Sequence, residues 1–435
     1  MKFSSLFAPK RIFALALPML ATFFVFGLSG ISAARATDPG YITAKTWIDP
    51  ANGHAAYGDW AHDDWQNLQD MINYAIAHTE AIQFEPGSYR ITKTLVIQTV
   101  GYNEGFRMTG IAGPNWAPGQ PGGISIVLDA VTTQPAVLEV GQGGFYDMSV
   151  ENLALVSNPG SVQASYGLLF AWQQFSHAYI HNVAVQGADT SFAVVQGTTS
   201  GANGEALELN NCDGGGGRCF YFNNCGQAFY HRIINCQGGA VNGGVFLRIG
   251  NSNGGHDLDV SSISCTFASG PLRNTFLEVN GVSGTVNVKG GRVESCDTIL
   301  SYSGGSPGFG GIVTVEGIDF DGCPGHFPIL DASHYGLLSF VGDAQYTNTI
   351  LRCKIGAYGG KPLTLEPTGS EDLSRSYFEK CVFTGWSNKI TAASNQPALN
   401  AMQVRVRDCR SDIPTDVLMS DLRDYTPAPP ARGGY

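Results

Sequence analysis

The sequence predicts an all-β fold, a parallel β-helix of about ten or more coils with one helix capping its N-terminal end. Three observations predict it. A four-residue strand ending recurs ten times between 150 and 409, at spacings of 24–31 residues. The units between are rich in Val, Ile, Phe and Gly and show no helical period. Charged residues are 14% of the chain, against about 25% in ordinary domains. A unit of that length cannot bury its apolar face alone, but it can when stacked on its copies. Leucine-rich repeats have a similar length, but LxxLxLxxN is absent; propeller blades run ~40–50 residues.

The repeat is clearest in Val313–Cys323. Val313, Val315, Ile318 and Phe320 are apolar, while Thr314, Glu316, Asp319 and Asp321 are polar. A period of two marks a half-buried strand. The ending reads VENL at 150–153, IHNV at 180–183, LNNC at 209–212, IINC at 233–236 and SISC at 262–265. It continues as VESC at 293–296, FDGC at 320–323, ILRC at 350–353, FEKC at 378–381 and VRDC at 406–409. Its last position is Leu153, Val183 and then Cys eight times. Residues that interchange in this way point inward, so one interior ladder of mostly free thiols is expected. No CxxC pair with a matching His is present, which argues against zinc.

In chain order, residues 1–36 have the features of a signal peptide. Lys2, Lys10 and Arg11 precede the apolar run Ile12–Phe26, and Ala34-Arg35-Ala36 fits a cleavage site. The apolar region is also long enough for an uncleaved anchor. Cleavage would place the protein in a secreted or periplasmic, oxidising space. It would also take the formal charge from −11 to −15, because four cations and no acid are lost. Such a balance excludes nucleic acid and anionic membranes as natural partners. Ten cysteines allow disulfides, and Cys219 with Cys225, off the ladder, is the candidate pair.

Residues 37–62 form an N-terminal extension. Asp63 and Asp64 then suit the N-cap and first turn of a helix over 64–78. Trp65, Leu68, Ile72, Ala75 and Ile76 share its apolar face. A lone amphipathic helix before a solenoid covers an end that would otherwise expose apolar side chains. Two strands around Pro86-Gly87 follow, and one β-helix domain spans 63–412. Gly/Pro-rich insertions fall within 101–146 and 200–256, and 413–435 is a Pro/Gly-rich tail expected to be partly disordered.

The stretch HDDWQNLQDMINYAIAHTEAIQFEPGSYRITKTLVI resembles the opening of the pectate-lyase-superfamily β-helix proteins. The matching residues are Asp63, Asp64, Ile72, Ile76, Phe84, Pro86, Gly87 and Tyr89. The resemblance covers about 35 residues and implies a right-handed parallel β-helix. It also implies a scaffold shared with polysaccharide-active enzymes and phage tailspikes. The motifs of polygalacturonases are not intact here. Gly255-His256-Asp257 only partly matches their Gly-His-Gly. Trp47-Ile48-Asp49 matches part of a pectate lyase motif but is followed by Pro50.

Registering the copies on the ladder cysteine brings candidate chemistry together. Glu294 and Asp321 fall two residues before it, and Arg292 and Asp319 fall four before it. Outward-pointing Glu294 and Asp321 would be neighbours at ~5 Å, Asp319 and Asp321 ~7 Å apart, and Arg292 beside Asp319. Paired carboxylates supply the acid and the base or nucleophile of glycoside hydrolysis. The same set could serve a calcium-assisted lyase; otherwise no cofactor is expected. The alternative is a solvated face of compensating charges. Trp116, Trp172, Tyr302, Tyr377 and Trp386 are candidate sugar platforms, and His256, Asp257, Glu205 and Asp213 are reserve acid–base candidates. Two functions compete. One is an exported polysaccharide hydrolase or lyase; the other is a non-catalytic surface or binding protein. Either takes a polysaccharide partner.

Overall fold

The computed structural model describes residues 40–411 except 116–121, 159, 161, 172–173, 196–202, 224–226, 251–254, 271, 280–282, 304–310, 323–337, 342–347, 357–361, 368–374, 385–387, 393–404 and 408. The expected signal segment 1–36, the tail 413–435, Trp116, Trp172, Trp386, Cys225 and Cys323 lie outside the described residues. So do the side chains of Tyr302, Tyr377 and His256.

The chain is a right-handed parallel β-helix. Three sheets recur in each full turn. The first begins earlier than expected, because Tyr41–Thr43 from the N-terminal extension pairs with Ala81–Gln83. It continues through Arg107–Gly110 and the front half of Ser149–Ser157. The second sheet takes up Gly87–Ile91, Ile124–Leu128 and the back half of Ser149–Ser157. The third stacks Leu95–Ile97, Ala136–Val140, Tyr166–Phe170, Thr190–Val195 and their successors through Thr298–Ser303.

The corner between the first and second sheets sets the register. Asn152, Asn182, Asn211, Asn235 and Ser262 stand there with φ between +52° and +57°, followed by Gly290 and Gly317 at +68° and +67°. Only Gly and short polar residues visit this left-handed region readily. The amides also stack: Asn182 Nδ2 donates to Asn152 Oδ1 at 2.9 Å, and Asn211 Nδ2 to Asn182 Oδ1 at 3.2 Å.

This corner corrects the expected cysteine ladder. The interior position after it is Leu153, Val183, Cys212, Cys236, Ile263, Gly291, Ile318, Cys353, Cys381 and Cys409. Cys265 lies two residues further on, paired with Val293 and so in the column of Phe320. Cys296 lies five residues past Gly291. Interior positions accept any small apolar residue, so cysteine does not mark register; the backbone demand of the corner does. Cys212, Cys219, Cys236, Cys265, Cys353 and Cys381 are free, buried thiols. The candidate pair Cys219–Cys225 is corrected with them. Cys219 is a free thiol that points into the core, level with Phe246 and against Gly238.

An aromatic stack runs along the interior. Phe192–Phe220, Phe220–Phe246, Phe246–Phe276 and Phe276–Phe320 have ring centroids 5.4, 5.2, 5.4 and 5.3 Å apart. The helix, Trp65–His78, buries Leu68, Met71, Ile72 and Ala75 against the first coil. Gln69 exchanges two 2.8 Å hydrogen bonds with the Val96 backbone, so the helix satisfies the open edge of Leu95–Ile97. Asp64 occupies the N-cap position but does not cap. Its carboxylate instead accepts from the Tyr57 and Gly58 amides at 2.7 and 3.0 Å. Among the described residues no helix is long and apolar enough to cross a membrane.

Candidate functional site

The strands Ser283–Glu294 and Gly311–Asp321 stack in parallel, and their second-sheet halves bring the four expected residues together. Arg292 pairs with Asp319, and Glu294 pairs with Asp321. Val293 and Phe320 between them are fully buried, so the four project outward. Arg292 Nη2 donates to Asp321 Oδ2 at 2.9 Å and lies 3.0 Å from Glu294 Oε1. The Asp321 hydrogen bond, then the Glu294 charge, raises the guanidinium further above its ordinary value. The register survived the ladder error because Cys296 and Cys323 are displaced equally from the corner.

The next coil was misplaced. Counting four residues back from Cys353, as for Arg292 and Asp319 from their cysteines, reaches Thr349, but a register shift sets Lys354 beside Asp319. Lys354 Nζ donates to both Asp319 oxygens at 3.0 Å. No sequence signal separates Lys354 from other exposed lysines; the missing corner residue of its coil is what sets it beside Asp319. Ile350, three residues before Cys353 and so inward by cysteine register, instead pairs with outward Thr314.

Charges alternate along these columns. Arg292, Asp319 and Lys354 form one series. Lys289, Glu316, Arg352 and Glu379 form another, with Arg352 Nη2 2.9 Å from Glu379 Oε2 and Nη1 3.7 Å from Glu316 Oε2. Opposite charges on adjacent strands stabilise a parallel register. The pair Glu294 and Asp321 breaks the alternation: two like charges are neighbours, bridged by one guanidinium. The cluster is open to solvent, with side-chain exposures of 57% for Arg292, 39% for Glu294 and 52% for Asp321.

The reserve residues are scattered. Asp257 accepts from Thr285 Oγ1 at 2.8 Å. Asp213 accepts from Gln237 Nε2 at 2.6 Å, and burial raises its carboxyl. Glu205 belongs to the first sheet, paired with Ser176 and Phe229. His231 is buried between Phe175 and Phe222, where its Nδ1 accepts from the Leu207 amide. Among the described residues, no group of three or more His, Cys, Asp or Glu is placed to hold a metal ion.

No protein-family model matches the chain, and no curated protein sequence matches it. Solved structures do match. DFA-IIIase from Arthrobacter chlorophenolicus A6 without its lid, in complex with GF2, superposes with a TM-score of 0.58 at 13% identity. That match covers 86% of this chain and 95% of that one. A cysteine-to-alanine mutant of the same enzyme, in complex with DFA-III, gives 0.57 at 13% identity over 86% and 94%. A further structure of that enzyme gives 0.56 at 13% over 85% and 93%. At such identity the likeness defines the class of fold, a right-handed β-helix.

Proposed function

We propose that the protein is a carbohydrate-active β-helix enzyme that cleaves a polysaccharide on its outer face, with Glu294 and Asp321 as the reacting carboxylates. The shared guanidinium carries this reading. Both carboxylate oxygens lie within 3.0 Å of Arg292 Nη2, so they are at most about 6 Å apart, a bound that admits the ~5–5.5 Å of retaining glycoside hydrolysis. In that chemistry one carboxyl protonates the leaving oxygen and the other attacks the anomeric carbon. Arg292 holds the two like charges together, and Asp319, anchored by Lys354, flanks them. A calcium-assisted lyase would draw on the same carboxylates. The solved DFA-IIIase complexes with GF2 and DFA-III support a saccharide as ligand. The signal-like segment supports action outside the cytoplasm.

A second reading, a non-catalytic saccharide-binding protein, is favoured by the alternating charges, which serve register without any chemistry. Incubation with acidic and neutral polysaccharides separates the two. New reducing ends support hydrolysis, and an unsaturated product absorbing in the ultraviolet supports a lyase. Retention on a polysaccharide without cleavage supports the second reading. Neither cleavage nor retention on any of them contradicts both.

A further inference from the structure

The outward side of the third sheet is unlike that of the second. Its positions face away from the core by register, yet Ala136, Thr190 and Thr298 are fully buried and Leu169 and Ala193 nearly so. Tyr166, Val195 and Tyr221 pack over this floor. Arg218 and Tyr221 share a strand, and Arg248 pairs with Tyr221 on the next coil. The guanidinium carbons lie 5.7 and 5.4 Å from the Tyr221 ring centroid. The side chains are only 31% and 26% exposed, against 57% for Arg292.

Their charges are incompletely used. Arg218 Nη1 donates to Asp189 Oδ2 at 2.9 Å and to Thr190 Oγ1 at 3.4 Å. Its Nε is buried and has no hydrogen-bond partner among the described residues. Arg248 Nε faces Glu278 Oε1 at 3.4 Å. That Nε is itself buried and makes no hydrogen bond among the described residues. Half-desolvated donors without acceptors are costly to keep. A guanidinium fork matches planar oxyanions in two-point contact.

We propose that this face is a saccharide subsite selecting an oxyanion-bearing sugar, a uronate or a sulfate ester, gripped by Arg218 and Arg248 beside Tyr221. The half-buried rings of Tyr166 and Tyr221, packed over Leu169 and Ala193, present the surface for the apolar face of a sugar ring. Tyr166 adds a neutral hydroxyl, since burial raises its phenol further. The proposal takes from the proposed function only that the ligand is a saccharide, and it lies on a different sheet from Glu294 and Asp321.

Calorimetric titration of the full chain tests it with three probes of equal length: a uronic-acid hexamer, a sulfated hexasaccharide and a neutral hexasaccharide. One charged probe is expected to bind about tenfold or more tighter than the neutral one. Added salt should weaken that binding. Arg218→Gln and Arg248→Gln should each weaken it about tenfold. Exposed Arg232→Gln, on the first sheet, should leave it unchanged. Should the glutamine variants fail to fold, the wild-type comparison of probes still decides. Equal affinity for the neutral probe, no binding of either charged probe, or insensitivity of a folded Arg248→Gln overturns the subsite. Cleavage of a neutral polysaccharide without anion preference would overturn the subsite and leave the proposed function standing. Charged-sugar binding without any cleavage would do the reverse.

Discussion

Asn182 sits at φ +52° and both donates and accepts in the stack of corner amides. A β-branched residue in that conformation costs about 1–2 kcal/mol, and each lost hydrogen bond about 0.5–1.5 kcal/mol. Asn182→Val is therefore expected to destabilise by roughly 2–5 kcal/mol. Asn182→Gly should keep the backbone and lose only the amide bonds. Denaturant midpoints check the order; equal losses would mean that the backbone is not what selects Asn. This residue also shows why cysteine misleads as a marker of register. Asn recurs just before the last position of four copies, but cysteine is the rarer letter and draws the alignment. The free thiols give a separate test. Burial pushes Cys219 and Cys353 up to about 12, so native protein should react slowly with a thiol reagent at neutral pH. In denaturant without reductant, at least six thiols per chain should titrate, in line with the six free thiols among the described residues; a count of two or fewer would mean cross-linked coils.

The helix Trp65–His78 was legible as an element because its apolar positions follow a helical period. Its chemistry was less so. Asp64 reads as an N-cap from position alone, yet it turns back to the Tyr57 and Gly58 amides, a contact with the N-terminal extension. Burial raises its carboxyl above the ordinary 3.8, although those amides pull it down. A carboxyl raised on folding stabilises the folded state when protonated. That contribution is full below the ordinary value and is lost as pH rises through the raised one. Wild type should therefore lose stability relative to Asp64→Asn as pH rises from about 4 to 7. Denaturant midpoints across that range measure the difference, and parallel profiles would contradict it. Asp64→Ala strands the buried Gly58 donor and should cost about 1–3 kcal/mol for it.

For the whole molecule, the class of fold was legible because repeat spacing and alternation survive local errors of register. Glu294 and Asp321 were legible because two successive copies slipped by the same five residues. Lys354 was not, since its coil lacks the corner residue. The third-sheet arginines escaped because no repeated letter marks that sheet. The interior aromatic stack ties successive coils into one cooperative unit. Phe246→Ala, at its centre and fully buried, should cost about 3–5 kcal/mol and lower the thermal midpoint of the entire β signal. A melt in which only part of that signal shifts would contradict one cooperative unit.

The most direct measurement is turnover of Glu294→Gln and Asp321→Asn on whichever polysaccharide the wild type cleaves, with circular dichroism confirming the fold. Loss of a general acid, base or nucleophile is expected to lower the rate by about 10²–10⁴-fold in each variant. Well-folded variants that retain near-native turnover would show that the pair is only part of the charge pattern holding the coils in register.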